Sequence, residues 1–441
     1  MKFISVLFFA GCAAFPAGAA NDDTFLIRNA TVHPVAAPEI QNGSVLVRDG
    51  KIIGVGKNLA QPKGVRVIDA KGLHVYPGMI DSGTELGLSE IGAVRESVDT
   101  GELGQFNPQL RAEIAVNPAS EHIPVTRVNG ITSVITMPMG AGGGGGMRNA
   151  GRQGIITGQA ALIHLDGWTW EEMEIKKTAA MAMRFPTIQV PPSRGGDFAG
   201  MFGERVTYAD AKKTYEEQLK ELREFFEEAR RYQKAKAVHA AGFKIDLKYE
   251  AMLPVLDGKV PLVALTPRER AIRDALQFAD NEKVKLVIAD PHEIGKTGAD
   301  LKAKNVAAIL GPTLADPEKE DDPYDAAYTL PDQFYKAGVK FAFGTFDNEF
   351  SRNLPYQAAT AVAFGLPYEE ALKAVTLNPA QIWGVGDRIG SIEEGKWADL
   401  VITDGDPLET RTQVKQLFIK GKQVDLDNKQ KRLYEKYMAR P

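Results

Sequence analysis

The residues able to do chemistry stand at the ends of buried apolar runs. In YPGMIDSGTELGL, residues 76–88, the run closes on Asp81, and Glu85 follows. His292 and Glu293 stand just past VKLVIAD, and Asp347 just past KFAFGT. Carboxylates and neutral imidazoles in such places can hold a divalent ion. A carboxylate alone, Glu85 or Asp347, can act as a general base if its pKa is raised. Each group also has a plainer use. Glu85 can pair with Arg95 or Arg111, His292 can cap a helix, and Asp347 can be hydrogen-bonded within a loop.

Other groups fall where they can shape a pocket. The long segment EIGAVRESVDTGELGQFNPQLRAE offers Arg95 and Glu96, with Arg111, as substrate-facing charges. His164, in ALIHLDGWTW, follows an apolar run and can point into the same mouth or into the core; Glu293 is a further pocket candidate. Gly142 to Gly146 form an unbroken glycine run whose backbone N–H groups can receive an anion, but no Gly-Lys-Ser/Thr follows, so it is no P-loop. Thr169 and Glu172 are spaced as a capping box.

These groups need elements to position them. From Thr24 to Val75 the pattern is β, with an Asp49-Gly50 hairpin signal. After Pro77 short continuous apolar runs alternate with helical stretches such as PRERAIRDALQFADNE. Runs of that kind suit parallel strands covered on both faces, and repeated βα units favour a (β/α)₈ TIM-like barrel. A fourth strand is not placed by the pattern: FPTIQVP and the segment around FKIDL compete. The C-terminal GSIEEGKWADLVITDGDPLE and VKQLFIKGKQVD return to β. The expected organisation is therefore an export signal over residues 1–20, a composite β-sandwich from 21–77 and 390–430, and a barrel over 78–389. Within the barrel, residues 207–237 form a charged helical insertion with a sparse apolar stripe at Leu219, Leu222, Phe225 and Phe226.

Composition narrows the function classes. A net charge of −4 offers no electrostatic footprint for nucleic acid, and no apolar run is long enough to span a membrane. Lys2, the apolar run from Phe3 and the small residues before Asn21 read as a secretory signal, hence a periplasmic or secreted protein. FFAGC resembles a lipoprotein box, so anchoring through a lipidated Cys12 is the alternative. Cys12 is the sole cysteine, so thiol catalysis and cysteine–metal sites are excluded from the fold. A small-molecule substrate or ligand fits the composition, and a homo-oligomer is compatible with it.

The wording DGKIIGVG, VIDAKGLHVYPGMID and AVTLNPAQIWGVGDRIGSIEEGKWADLVITDGDPLE resembles the amidohydrolase superfamily, especially its secreted imidazolonepropionase-related members. The resemblance implies a barrel whose C-terminal mouth holds one or two divalent metals. Their ligands are a His-x-His on strand 1, Lys or Glu on strand 4, His on strands 5 and 6, and Asp on strand 8. Here the first pair is Gly83 and Glu85, strand 5 carries Ala264, and Phe346 takes the Asp position. Gly83, Ala264 and Phe346 cannot bind metal. Glu85, His292 and Asp347 remain as a reduced ligand set for one zinc-like ion, with no metal at all as the equal alternative. The leading expectation is a hydrolase of non-peptide carbon–nitrogen bonds, such as a cyclic amide or N-acyl substrate, with an altered metal site. The alternative is a catalytically inactive amidohydrolase-fold protein that binds a small molecule or a protein partner.

Overall fold

The computed structural model describes residues 24–139, 154–188, 190, 206–240, 242–317 and 321–440. Residues 1–20, expected to form an export signal and including Cys12, and the glycine run 142–146 lie outside the described residues.

The chain opens with β1 (Phe25–Val32), β2 (Ile40–Arg48), β3 (Lys51–Lys57), β4 (Arg66–Asp69) and β5 (His74–Pro77). Asp49 and Gly50 join β2 to β3 with φ of 50° and 74°. Two successive positive φ values match the right-handed twist of the strands they connect, which is why Asp-Gly is favoured there.

The barrel follows. β6 (Met79–Thr84), β7 (Ile131–Thr136), β8 (Ile156–His164) and β9 (Glu174–Arg184) make one half. β10 (Leu262–Leu265), β11 (Leu286–Ala289), β12 (Ala307–Leu310) and β13 (Phe341–Phe343) make the other. All eight hydrogen-bond in chain order. The barrel is not uniformly parallel: β8 runs antiparallel to both β7 and β9. The fourth strand, β9, lies immediately before FPTIQVP rather than within it.

Side chains alternate across the barrel wall. Ile80, Ala160, Ala182, Val263, Ala289 and Ala342 belong to an inner cluster, whereas Met79, Ala161, Met183, Ala264, Ile288 and Phe343 pack against the helices. Several inner residues are alanine, so the strands alone cannot fill the interior. Trp383, 1% exposed, completes the inner cluster, and Phe346 packs on it. The indole Nε1 donates to Ser82 Oγ at 3.2 Å.

The C-terminal strands β14 (Leu400–Thr403), β15 (Val414–Ile419) and β16 (Lys422–Val424) return to the first sheet, β14 pairing antiparallel with β5. The result is one continuous sheet with the path β16-β15-β14-β5-β1-β2-β3, with β4 beside β1. Three strand spacings separate β15 from β1, roughly 14 Å in a flat sheet. Yet Phe418 stacks on Phe25 with centroids 4.6 Å apart. The sheet therefore curls over its own core.

The insertion is a helix, Tyr208–Ala237, opened by a reciprocal capping box between Thr207 and Asp210. Leu222 and Phe226 are fully buried, and Phe225 stacks on Phe106 at 4.5 Å. One stripe docks the helix on the barrel; the opposite face is solvated. No helix among the described residues is long and apolar enough to cross a membrane.

Candidate active site

The mouth is organised by a clasp between the first and last barrel strands. Asp81 is fully buried within β6. One carboxylate oxygen accepts from the N–H groups of Gly83 and Thr345, each at 3.1 Å. The other accepts from Thr345 Oγ1 at 2.5 Å. Phe346 N–H then donates to Gly83 O at 2.7 Å. Burial pushes the Asp81 carboxyl up to about 7, against the hydrogen bonds that favour its charge, and Asp347 pushes it further.

Phe346 adopts a φ of 50°, a left-handed conformation uncommon for a bulky residue. It sets the course of the chain into Asp347, whose charge raises the pKa of both Asp81 and Glu85. It also lays the Phe346 ring over Gly83: a Cβ built on Gly83 would stand 3.0 Å from Phe346 Cε1.

Glu85, 8% exposed, lies beyond this clasp. Burial pushes its carboxyl up to about 7; Arg184 opposes that shift and Asp347 adds to it. Arg184 ends β9 on the inward side, because Met183 before it packs outward. Its Nε donates to Met139 O at 2.6 Å. Burial lowers the guanidinium pKa, while Glu85 and Asp290 support its charge. Asp290 follows β11 with φ of 50°. A Cβ at Gly311 would come within 2.0 Å of its Oδ1, so glycine leaves the room this carboxylate occupies. Among the described residues, Arg184 is thus the cation whose charge Glu85 and Asp290 support, while Asp347 acts on Glu85.

The structure separates several residues grouped by sequence. His292 sits 3.5 Å from Asp290 Oδ2 through Nε2, and its N–H donates to Pro267 O. Glu293 Oε1 accepts from Glu269 N–H at 3.0 Å. It caps the helix Glu269–Glu282 and is a structural group rather than a pocket group. Asp347 Oδ1 is engaged by Phe350 N–H at 2.7 Å. Arg95 and Glu96 are exposed on a short 3₁₀ turn, and Arg111 pairs with Glu113; Glu85's electrostatic partner is Arg184 instead.

His164 is at the wrong end for the mouth. β8 descends, so its last residue pairs with Ser133 near the start of β7. There His164 Nε2 meets Asp399 Oδ2 at 2.9 Å beneath the barrel. Ala264 is corrected too: it faces the helices, and Val263 is its inward neighbour. Ala264 therefore does not mark a lost ligand.

The sequence profile of the amidohydrolase family matches residues 264–424. An amidohydrolase from Thermotoga maritima MSB8 superposes with a TM-score of 0.76 at 28% identity, over 91% of this chain and 99% of that one. The chain belongs to the amidohydrolase superfamily. It is 25% identical over 398 residues to an imidazolonepropionase of Caldanaerobacter subterraneus subsp. tengcongensis, covering 84% of this chain and 86% of the relative. It is 24% identical over 404 residues to the amidohydrolase tasK of Hapsidospora irregularis, spanning 86% of this chain but only 39% of that protein.

Superfamily members typically hold divalent metals, and the donor chemistry of this mouth does not fit one. Gly83 has no donor and is covered by the Phe346 ring. Arg184 brings a permanent cation to the end of strand 4. Glu85, His292 and Asp347 are not gathered: among the described residues no three His, Cys, Asp or Glu side chains form a metal-holding group. Arg184 and Asp290 were missed by sequence reading. The alternation AAMAMR, which puts Arg184 on the inner face, was the signal available for the first.

Proposed function

We propose that this amidohydrolase-superfamily protein uses its barrel mouth as a metal-free site for a small polar molecule, and that metal-dependent hydrolysis of carbon–nitrogen bonds has been lost from it. The observation carrying this reading is the exchange of groups at the strand ends: an aromatic ring lies over Gly83, and a guanidinium stands on strand 4. Arg184 would receive a carboxylate or carbonyl oxygen of the ligand, and a protonated Glu85 would donate to a second acceptor. Metal analysis of the purified full chain, alongside a panel of cyclic amides and N-acyl compounds with and without added zinc, tests this directly. Bound metal well below one equivalent and no chelator-sensitive turnover are expected. Stoichiometric zinc with chelator-sensitive turnover lost in Glu85→Ala would overturn it.

A second reading is favoured by one observation, the Glu85 carboxyl held near 7 beside Arg184. That is the range in which a carboxylate serves as a general base at neutral pH, with the guanidinium stabilising the developing oxyanion. Metal-free hydrolysis of this kind would persist in chelator and disappear in Glu85→Gln. Turnover unchanged in Glu85→Gln would eliminate it.

A further inference from the structure

The barrel has a second concave face, opposite the mouth. β9 to β13 enter from that side, and each carries a lysine at its entrance: Lys176 near the start of β9, Lys259 before β10, Lys285 before β11, Lys304 before β12 and Lys340 before β13. All five line one cavity of about 610 Å³, in which Asp280 is the single carboxylate among the described residues. Its floor is apolar, with Pro261, Leu276, Leu286 and Trp383. The whole chain carries a net charge of −4. The concentration of cations is therefore local and not a reflection of overall composition.

Most of this charge is uncompensated. Lys304 pairs with Asp280 at 2.5 Å and Lys259 with Asp257 at 3.1 Å. Lys176 and Lys340 donate instead to neutral acceptors, Trp383 O and Gln381 Oε1, each at 2.8 Å. Lys285 forms no ion pair among the described residues; burial chiefly, then the charges of Arg388 and Lys285, lower the pKa of Lys176. Three of the five ammonium groups lining the cavity thus have no carboxylate partner among the described residues. An ordinary solvated rim needs no such convergence over an apolar floor.

We infer that this cavity is a binding site for a small organic phosphate ester, separate from the mouth. Ammonium groups bind phosphate as point charges on flexible stems, with no planar geometry to satisfy. The volume lies within the range of small-molecule pockets. The apolar floor would take the organic body while the lysines hold the phosphate.

Calorimetric titration of the full chain with phenyl phosphate, using phenol as the uncharged control, tests the inference. Saturable binding of phenyl phosphate but not phenol is expected, weakening as ionic strength rises. Lys285→Glu and, independently, Lys340→Glu should each weaken it about tenfold or more, with thermal melting confirming that each variant folds. Glu85→Gln, at the mouth, should leave it unchanged, so this site stands or falls separately from the mouth reading. No saturable binding, equal binding of phenol, or binding lost in Glu85→Gln but kept in both lysine variants would overturn it.

Discussion

Asp81 acts at the barrel mouth as a structural residue. Its carboxylate joins the first barrel strand to the last through Gly83 and Thr345. Its folded pKa, about 7, is raised above the ordinary carboxylate value by burial. A group raised in this way favours the fold fully below its unfolded pKa, and that contribution is lost as pH rises through the folded value. Asp81→Asn keeps an acceptor for the two N–H groups, and its amide can donate to Thr345 Oγ1. The stability of this variant relative to the parent should therefore improve between pH 5 and pH 8, by on the order of 2 kcal/mol. Urea denaturation at both pH values checks this; a difference independent of pH would refute the burial of a titrating carboxyl. The departures at Gly83 and Phe346 were legible from residue type alone. The role of Ala264 was not, because a one-residue error in strand register moves a side chain from the inner to the outer face.

At the scale of elements, the runs rich in Val, Ile and Leu were recognisable as strands, and β9 was not. Its sequence EIKKTAAMAMR is made of residues that favour helices, and it follows a capping pair. Thr169 does cap a helix, but one that ends after Met173. Tertiary pairing with β8 and β10 then overrides local preference. The alanines of β9 also explain Trp383. Small inward residues leave space that the strands cannot close, and the indole from the segment after the helix Leu377–Ile382 fills it. Trp383→Ala should destabilise the protein by about 3–5 kcal/mol through the resulting cavity, and Trp383→Phe by clearly less. Chemical denaturation measures both. Equal losses in the two variants would show that the Ser82 hydrogen bond, not the filled volume, dominates.

At the scale of the whole molecule, the barrel and the curled sheet are joined beneath the barrel through Asp399. Its backbone carbonyl accepts from Gly78 N–H at 2.9 Å, where the chain passes from sheet to barrel. One side-chain oxygen accepts from Lys420 N–H at 2.8 Å, and the other meets His164 Nε2 at 2.9 Å. Both side chains are buried, His164 at 1% and Asp399 at 5% exposure. The contact thus links the descending β8 to the loop between the last two sheet strands, parts of the chain more than two hundred residues apart. Removing either partner leaves the other buried without its counterpart, so His164→Ala and Asp399→Ala should each cost roughly 3 kcal/mol. Because each loss is largely the same contact, the double variant should cost little more than either single one. Urea denaturation of the four proteins decides this. Full additivity would mean that the two residues stabilise their own units independently and that the pair does not couple sheet to barrel. Non-additivity with a single shared transition is the expected result, since Asp399 is bonded to both units at once.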